Sequence, residues 1–377
     1  MVFHMSNLRA RITFGLLLAV PVPLQAAEPR INEVQVIGTH NSYHIEPHTS
    51  LMQVIRQNRG DRTADGIQYS HRPLAEQFGE LGVRQIELDV FADPKGGHYA
   101  KPKGRQMLAE AGLPLGPDPD PQGELREPGL KVLHFPDFDF RTTVQTFQGA
   151  LQQVRDWSQA HPHHFPIMIL VEVKGGALPP QYTQPLPFTK REFDRIDEEI
   201  AAVFKDDEVI TPDSVRGNRE TLREAVQQDG WPAVSEARGK VIFALDNGGE
   251  IRNGYLAGHP SLKGRKLFVS VGADHDAAAF MKLNNPVGQF AHIQEMVRGG
   301  FLVRTRADGG TDEARNNDTS QREKAFASGA QFVSTDYAEP DPRFSDYHVR
   351  FEGGIVVRAN PVNGGDRQED LETLPAR

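Results

Sequence analysis

What most restricts the fold of this 377-residue chain is a set of short apolar runs that recurs from one end of it to the other. Eight runs rich in Val, Ile, Leu and Phe lie at 34–37, 85–91, 131–135, 167–173, 240–245, 267–271, 301–306 and 331–335. Runs that are apolar at nearly every position suit parallel strands covered on both faces, whereas a strand with one wet face alternates. Eight of them, separated by helical or loop stretches, fit a closed (β/α)8 TIM-type barrel better than an open doubly wound sheet. Single barrels with insertions reach roughly 200 to 400 residues, so one domain accommodates the whole body.

The intervening segments agree with this reading. Between 143 and 159, Val144, Phe147, Leu151, Val154 and Trp157 recur at three- and four-residue intervals, which predicts one buried helix face. Phe193, Ile196, Ile200 and Val203 predict another. The stretches 113–129 and 175–188 are rich in Pro and Gly and read as irregular insertions at the strand C-terminal ends, the face on which barrels carry their sites. No linker or internal repeat divides the body, so the expected organisation is a leader at 1–27, a barrel at 28–345 and a polar tail at 346–377, disordered from 360.

The leader is inferred from Arg9 and Arg11, the apolar run 12–24 and the small residues Ala26 and Ala27. That is a secretory pattern, and Pro21 and Pro23 shorten it below the roughly 20 apolar residues of a spanning helix. The expectation is a secreted or periplasmic protein with no transmembrane segment. The chain has no cysteine, which excludes disulfides and a lipid-modified cysteine. Its formal charge of −9 argues against a nucleic-acid partner, because phosphate backbones call for a clustered positive field. Peripheral contact with a phospholipid surface stays compatible with that charge.

Ionisable residues gather at the ends of the first four runs. The first continues into Gly38-Thr39-His40-Asn41-Ser42-Tyr43-His44. In the second, Glu87 and Asp89 stand two apart and therefore share one side of the strand, with Ile86, Leu88 and Val90 on the other. The third ends at His134, and the fourth carries Glu172 and Lys174, again two apart. Two acids on one strand face repel unless a positive group lies between them, and a hard divalent cation is the usual solution. Convergence of such groups from several strand ends is how barrels build catalytic sites.

The string 38–43, the Glu87-Leu88-Asp89 triplet, His134 and Glu172 resemble the catalytic half of the phosphoinositide-specific phospholipases C, especially the bacterial calcium-dependent group. The segments 239–245 (GKVIFAL), 303–308 (VRTRAD) and 328–337 (SGAQFVSTDY) are similar to that group too. This resemblance implies a phosphodiesterase acting on phosphatidylinositol, with His40 and His134 as its two catalytic histidines. It implies Asn41, Glu87, Asp89 and Glu172 as ligands of Ca2+, all of them oxygen donors; Mg2+ fits less well. Glu172-Val173-Lys174 also resembles the Glu-x-Lys of glycerophosphodiester phosphodiesterases. Those enzymes, however, follow their first histidine with Arg-Gly, where this chain has Asn41-Ser42. That activity is the alternative expectation, a catalytically silent lipid-binding barrel is a second, and Lys174 is a phosphate contact in either enzyme.

Other signals carry less. His161, His163 and His164 read as a solvated loop rather than a metal tract, and His275 is a further candidate near the site. The stretch 118–123 lacks the glutamate that a calcium loop needs at its twelfth position, where Gly129 stands.

Overall fold

The computed structural model describes residues 1, 2 and 28–373, so the expected leader falls almost wholly outside the described residues. Eleven strands form one sheet: β1 Val34–Thr39, β2 Gln85–Phe91, β3 Lys131–Val132, β4 Ile167–Val173, β5 Val209–Ile210, β6 Val241–Leu245, β7 Leu267–Val269, β8 Phe280–Lys282, β9 Leu302–Arg306, β10 Phe332–Thr335 and β11 Val357–Ala359. Nine of these run parallel: eight in the order β1-β2-β4-β6-β7, then β8-β9-β10 and back to β1, and the short β5 beside the start of β6. A single parallel bridge, Ser270 to Phe280, joins the two arcs and closes the ring. The barrel expected from the sequence is therefore present, with one exchange of strands.

That exchange concerns the third apolar run. It supplies only β3, which pairs antiparallel with the last residues of β2 (Val90 with Val132, Phe91 with Lys131). Of its apolar side chains, Val132 joins the main core, while Leu133 packs in a local cluster with Phe91 and Tyr99. The missing barrel strand is β8, three residues long and preceded by the small residues Ala277, Ala278 and Ala279. So short a segment presents no periodicity to read.

The helix Phe147–Ala160 buries Phe147, Leu151, Val154 and Trp157, as its spacing predicts, and Thr146 caps it by accepting a hydrogen bond from Gly149 N. The helix Lys190–Val203 opens on a capping box of Thr189 and Glu192 and buries Phe193, Ile196 and Ile200. Both cover the outer faces of strands whose inner faces fill the barrel.

Two expectations fail for physical reasons. The described segment 346–373 is ordered on the barrel: β11 pairs antiparallel with the N-terminal half of β1, Leu371 is buried, and Glu372 forms an ion pair with Arg84. Its polarity is that of a cover whose few apolar residues point inward. His164 is buried rather than solvated, its Nδ1 donating to Phe165 O and its Nε2 accepting from Ser158 Oγ.

This buried neutral imidazole makes stability depend on pH. Burial pushes His164 down to about 4, while the unfolded chain takes up the proton near 6.5. Stability is then complete above pH 6.5 and is lost as the pH falls towards 4. In urea unfolding, His164→Gln should lessen the loss between pH 6.5 and 4.5 by on the order of 2 kcal/mol. An unchanged pH slope would contradict this.

Candidate active site

The site lies at the C-terminal ends of β1, β2 and β4, and its first element is the turn that follows β1. Gly38 faces the Gln85 side chain, where a Cβ would lie 2.1 Å from Gln85 Oε1, so only glycine lets that amide lie across the barrel interior. Asn41 adopts φ 45°, a left-handed conformation that asparagine tolerates better than most residues. Its Nδ2 donates to the Tyr69 hydroxyl at 3.0 Å, and its Oδ1 is buried without a hydrogen-bond partner.

Register then gathers the acids. Asp89 of β2 is paired directly with Glu172 of β4, and Glu87 precedes Asp89 on the same strand face. Oxygens of Glu87, Asp89 and Glu172 all lie within 4.8 Å of one another. The expected repulsion is met by three basic side chains. Lys174 Nζ stands 2.9 Å from Asp89 Oδ2 and 2.8 Å from Glu172 Oε2. Arg304 Nη2 donates to Glu87 Oε2 at 2.6 Å, and Lys282 pairs with the neighbouring Asp246. Burial pushes Glu87 and Asp89 each up to about 8, with Arg304 and Lys174 opposing the rise. Four carboxylates thus face three cations. The buried oxygens Asn41 Oδ1 and Asp89 Oδ1 have no hydrogen-bond partner, which suits a hard divalent ion.

Each histidine of the predicted pair has its own carboxylate. His40 Nδ1 lies 2.7 Å from Asp336 Oδ1, just beyond β10, and its Nε2 is 3.6 Å from Glu87 Oε1. Arg306 Nη1 approaches the same Nε2 at 3.3 Å. Because a guanidinium only donates, Nε2 accepts and the proton resides on Nδ1. Burial first, and Arg306 second, push His40 down to about 3.

His134 does not end a barrel strand; the β3 flap carries it over the end of β2 to the site. Its Nδ1 lies 2.7 Å from Asp139 Oδ2, leaving Nε2 for proton transfer. The other oxygen of Asp139 is 2.8 Å from Nε2 of the buried His44, whose Nδ1 faces Tyr69 O at 3.0 Å. Burial alone would raise Asp139, but His44 and His134 hold it well below the usual carboxylate range.

A family model described as phosphoinositide phospholipase C, Ca2+-dependent, matches residues 29–361. The chain belongs to that family. Solved structures agree on the fold. A calcium-dependent phosphoinositol-specific phospholipase C from Pseudomonas sp. is 16% identical, with a TM-score of 0.51 over 88% of this chain and 95% of that one. The Ca2+-dependent phosphatidylinositol-specific phospholipase C of Streptomyces antibioticus is also 16% identical, with a TM-score of 0.50 over 88% of this chain and 99% of that one. A search of the curated proteins returns no match.

For a member of this phospholipase C family, the acidic cluster is the candidate calcium site and the chain is a phosphodiesterase. Of the residues named from the sequence, Glu87, Asp89, Glu172 and Lys174 come together and His40 Nε2 lies 3.6 Å from Glu87, whereas Arg304, Arg306, Asp336 and Asp139 were given no role. Arg304 and Arg306 show the same two-residue spacing as Glu87 and Asp89 and were open to the same argument. Asp139 and Asp336 sit in loops, where spacing says nothing. His275 is exposed, its Nδ1 accepting from Ala277 N, and it does not join the site.

Two outcomes are expected. The melting temperature should rise with the logarithm of free calcium once the site is saturated, and Asp89→Asn should blunt that rise more than it lowers the metal-free melting point; a melting temperature indifferent to calcium would contradict the assignment. Asp139→Asn should lower kcat about a hundredfold with KM near wild type, the range over which general acid catalysis contributes. An unchanged kcat would leave Asp139 a purely structural residue.

Proposed function

We propose that the chain cleaves phosphatidylinositol, with the inositol 2-hydroxyl attacking phosphorus to release diacylglycerol and a cyclic inositol phosphate. The observation that carries this reading is the pair of imidazoles, each fixed at Nδ1 by a carboxylate, in a site that also holds the acidic cluster. Two oriented histidines supply a base and an acid for one in-line displacement.

His40 Nε2 takes the proton of the 2-hydroxyl, with Asp336 holding the ring. Phosphatidylinositol itself raises the basicity of His40, since its anionic phosphate offsets the Arg306 charge that depresses it. Arg306 and Lys174 contact the phosphoryl oxygens, Lys174 by leaving Asp89 and Glu172. Asn41, Glu87, Asp89 and Glu172 would hold calcium, which when bound would supply charge neutralisation at the phosphate and acidify the hydroxyl. On the opposite side His134 Nε2 gives its proton to the glycerol oxygen as the P–O bond breaks.

Among the described residues no helix is long and apolar enough to cross a membrane. The leader pattern supports export.

A phosphorus NMR time course with phosphatidylinositol and calcium should show the five-membered cyclic phosphodiester before any acyclic monoester. Acyclic product alone, or rapid turnover of glycerophosphodiesters beside inert phosphatidylinositol, would favour the glycerophosphodiesterase activity instead.

A further inference from the structure

His134 and Asp139 also line a groove of about 710 Å³, to which none of Glu87, Asp89 and Glu172 contributes. One wall is the helix Thr49–Arg59, which presents Val54 and Ile55, and Ile67 lies just beyond it. The opposite wall combines Met107, on the helix Lys103–Glu110, with Tyr182 from the 175–188 insertion. Phe135 and Phe138 form the floor, stacked on each other at 6.3 Å and each edge-on to Tyr182.

These walls are braced from behind. The buried carboxylate of Asp137 accepts from Lys103 N at 3.1 Å, Thr183 N at 2.7 Å and Thr183 Oγ1 at 2.8 Å, tying the helix to the insertion. Arg59 lies over the Tyr182 ring at 5.1 Å, and Lys103 Nζ donates to Gln181 O at 2.6 Å. The apolar surface is nonetheless uncovered: Met107 is 41% exposed, one of the few large apolar side chains left so. A preformed, largely apolar groove with a few polar and charged groups in its lining is the usual make-up of a ligand site.

We propose that this groove receives the acyl chains of the diacylglycerol leaving group. The inference rests on the phospholipase C reading and on in-line geometry. A leaving oxygen that takes its proton from His134 must point away from the attacking hydroxyl, so what it carries lies on the His134 side. There the chain offers hydrocarbon and aromatic surface in the same lining as that imidazole, with Asn58, Thr63 and Gln181 as its uncharged polar members. Lys103 and Arg59 stand at the rim, where the ester carbonyls and the anionic lipid surface come closest.

The test uses the full chain with calcium and two soluble substrates, dihexanoyl phosphatidylinositol below its micelle concentration and acyl-free glycerophosphoinositol. With both substrates monomeric, adsorption to a lipid surface plays no part. Wild type should favour the dihexanoyl substrate in kcat/KM by about thirtyfold, and Val54→Trp and Met107→Glu should each cut that ratio about tenfold. Met107 is exposed, so its variant keeps the test valid should Val54→Trp misfold. Independently of turnover, dihexanoylglycerol should shift the Met107 methyl signal in a carbon-13 NMR titration. A wild-type ratio near one, a ratio retained in both variants, or a Met107 signal that does not move overturns the groove while leaving the phospholipase reading intact. A moving signal with neither substrate cleaved supports the groove and removes that reading.

Discussion

Everything at the working end of this barrel depends on keeping Glu87, Asp89 and Glu172 together, the first two where water scarcely reaches them and the third half-buried. A buried carboxylate is costly unless a positive charge or a proton accompanies it. Without metal the fold supplies Arg304 to Glu87 and Lys174 to the other two, and still leaves Asp89 Oδ1 and Asn41 Oδ1 without partners. Lys174 is the movable member of this arrangement. It is the least buried of the groups concerned apart from Glu172, on a stem long enough to turn towards an incoming phosphate.

The histidines solve the complementary problem of direction. A free imidazole presents either nitrogen, and a carboxylate on Nδ1 removes the choice. Asp336 does this for His40 from the end of β10, and Asp139 does it for His134 from the β3 flap. The two supports differ. Asp336 is shared with Arg306, whereas Asp139 is shared with the buried His44. The two histidines are thereby distinguished by their neighbours, one carboxylate lying between an imidazole and a guanidinium and the other between two imidazoles.

How much of this was legible in the sequence follows from periodicity. Seven of the eight apolar runs are barrel strands because parallel strands buried on both faces write themselves as continuous hydrophobic stretches. The run at 131–135 looks the same but yields only a two-residue strand antiparallel to the end of β2, and Phe280–Lys282 is too short to stand out. Glu87, Asp89, Glu172 and Lys174 were visible because a two-residue spacing keeps side chains on one strand face. The family resemblance supplied the roles of His40, Asn41 and His134. Asp139 and Asp336 were not visible, since nothing in the spacing of a loop residue states which histidine it will reach. The ordered C-terminal segment was missed for a related reason: Leu371 and Glu372 find their partners far away in sequence, Glu372 at Arg84.

The central claim is that these three carboxylates and Asn41 form one calcium site, now partly compensated by Lys174. A crystal grown with calcium, with anomalous difference density measured at long wavelength, tests it most directly. The account predicts one strong peak per chain, bounded by Asn41 Oδ1, Glu87, Asp89 and Glu172, with Lys174 Nζ withdrawn from Asp89. A peak between His44, His134 and Asp139, or a calcium-saturated crystal with Lys174 still bridging Asp89 and Glu172, would contradict it.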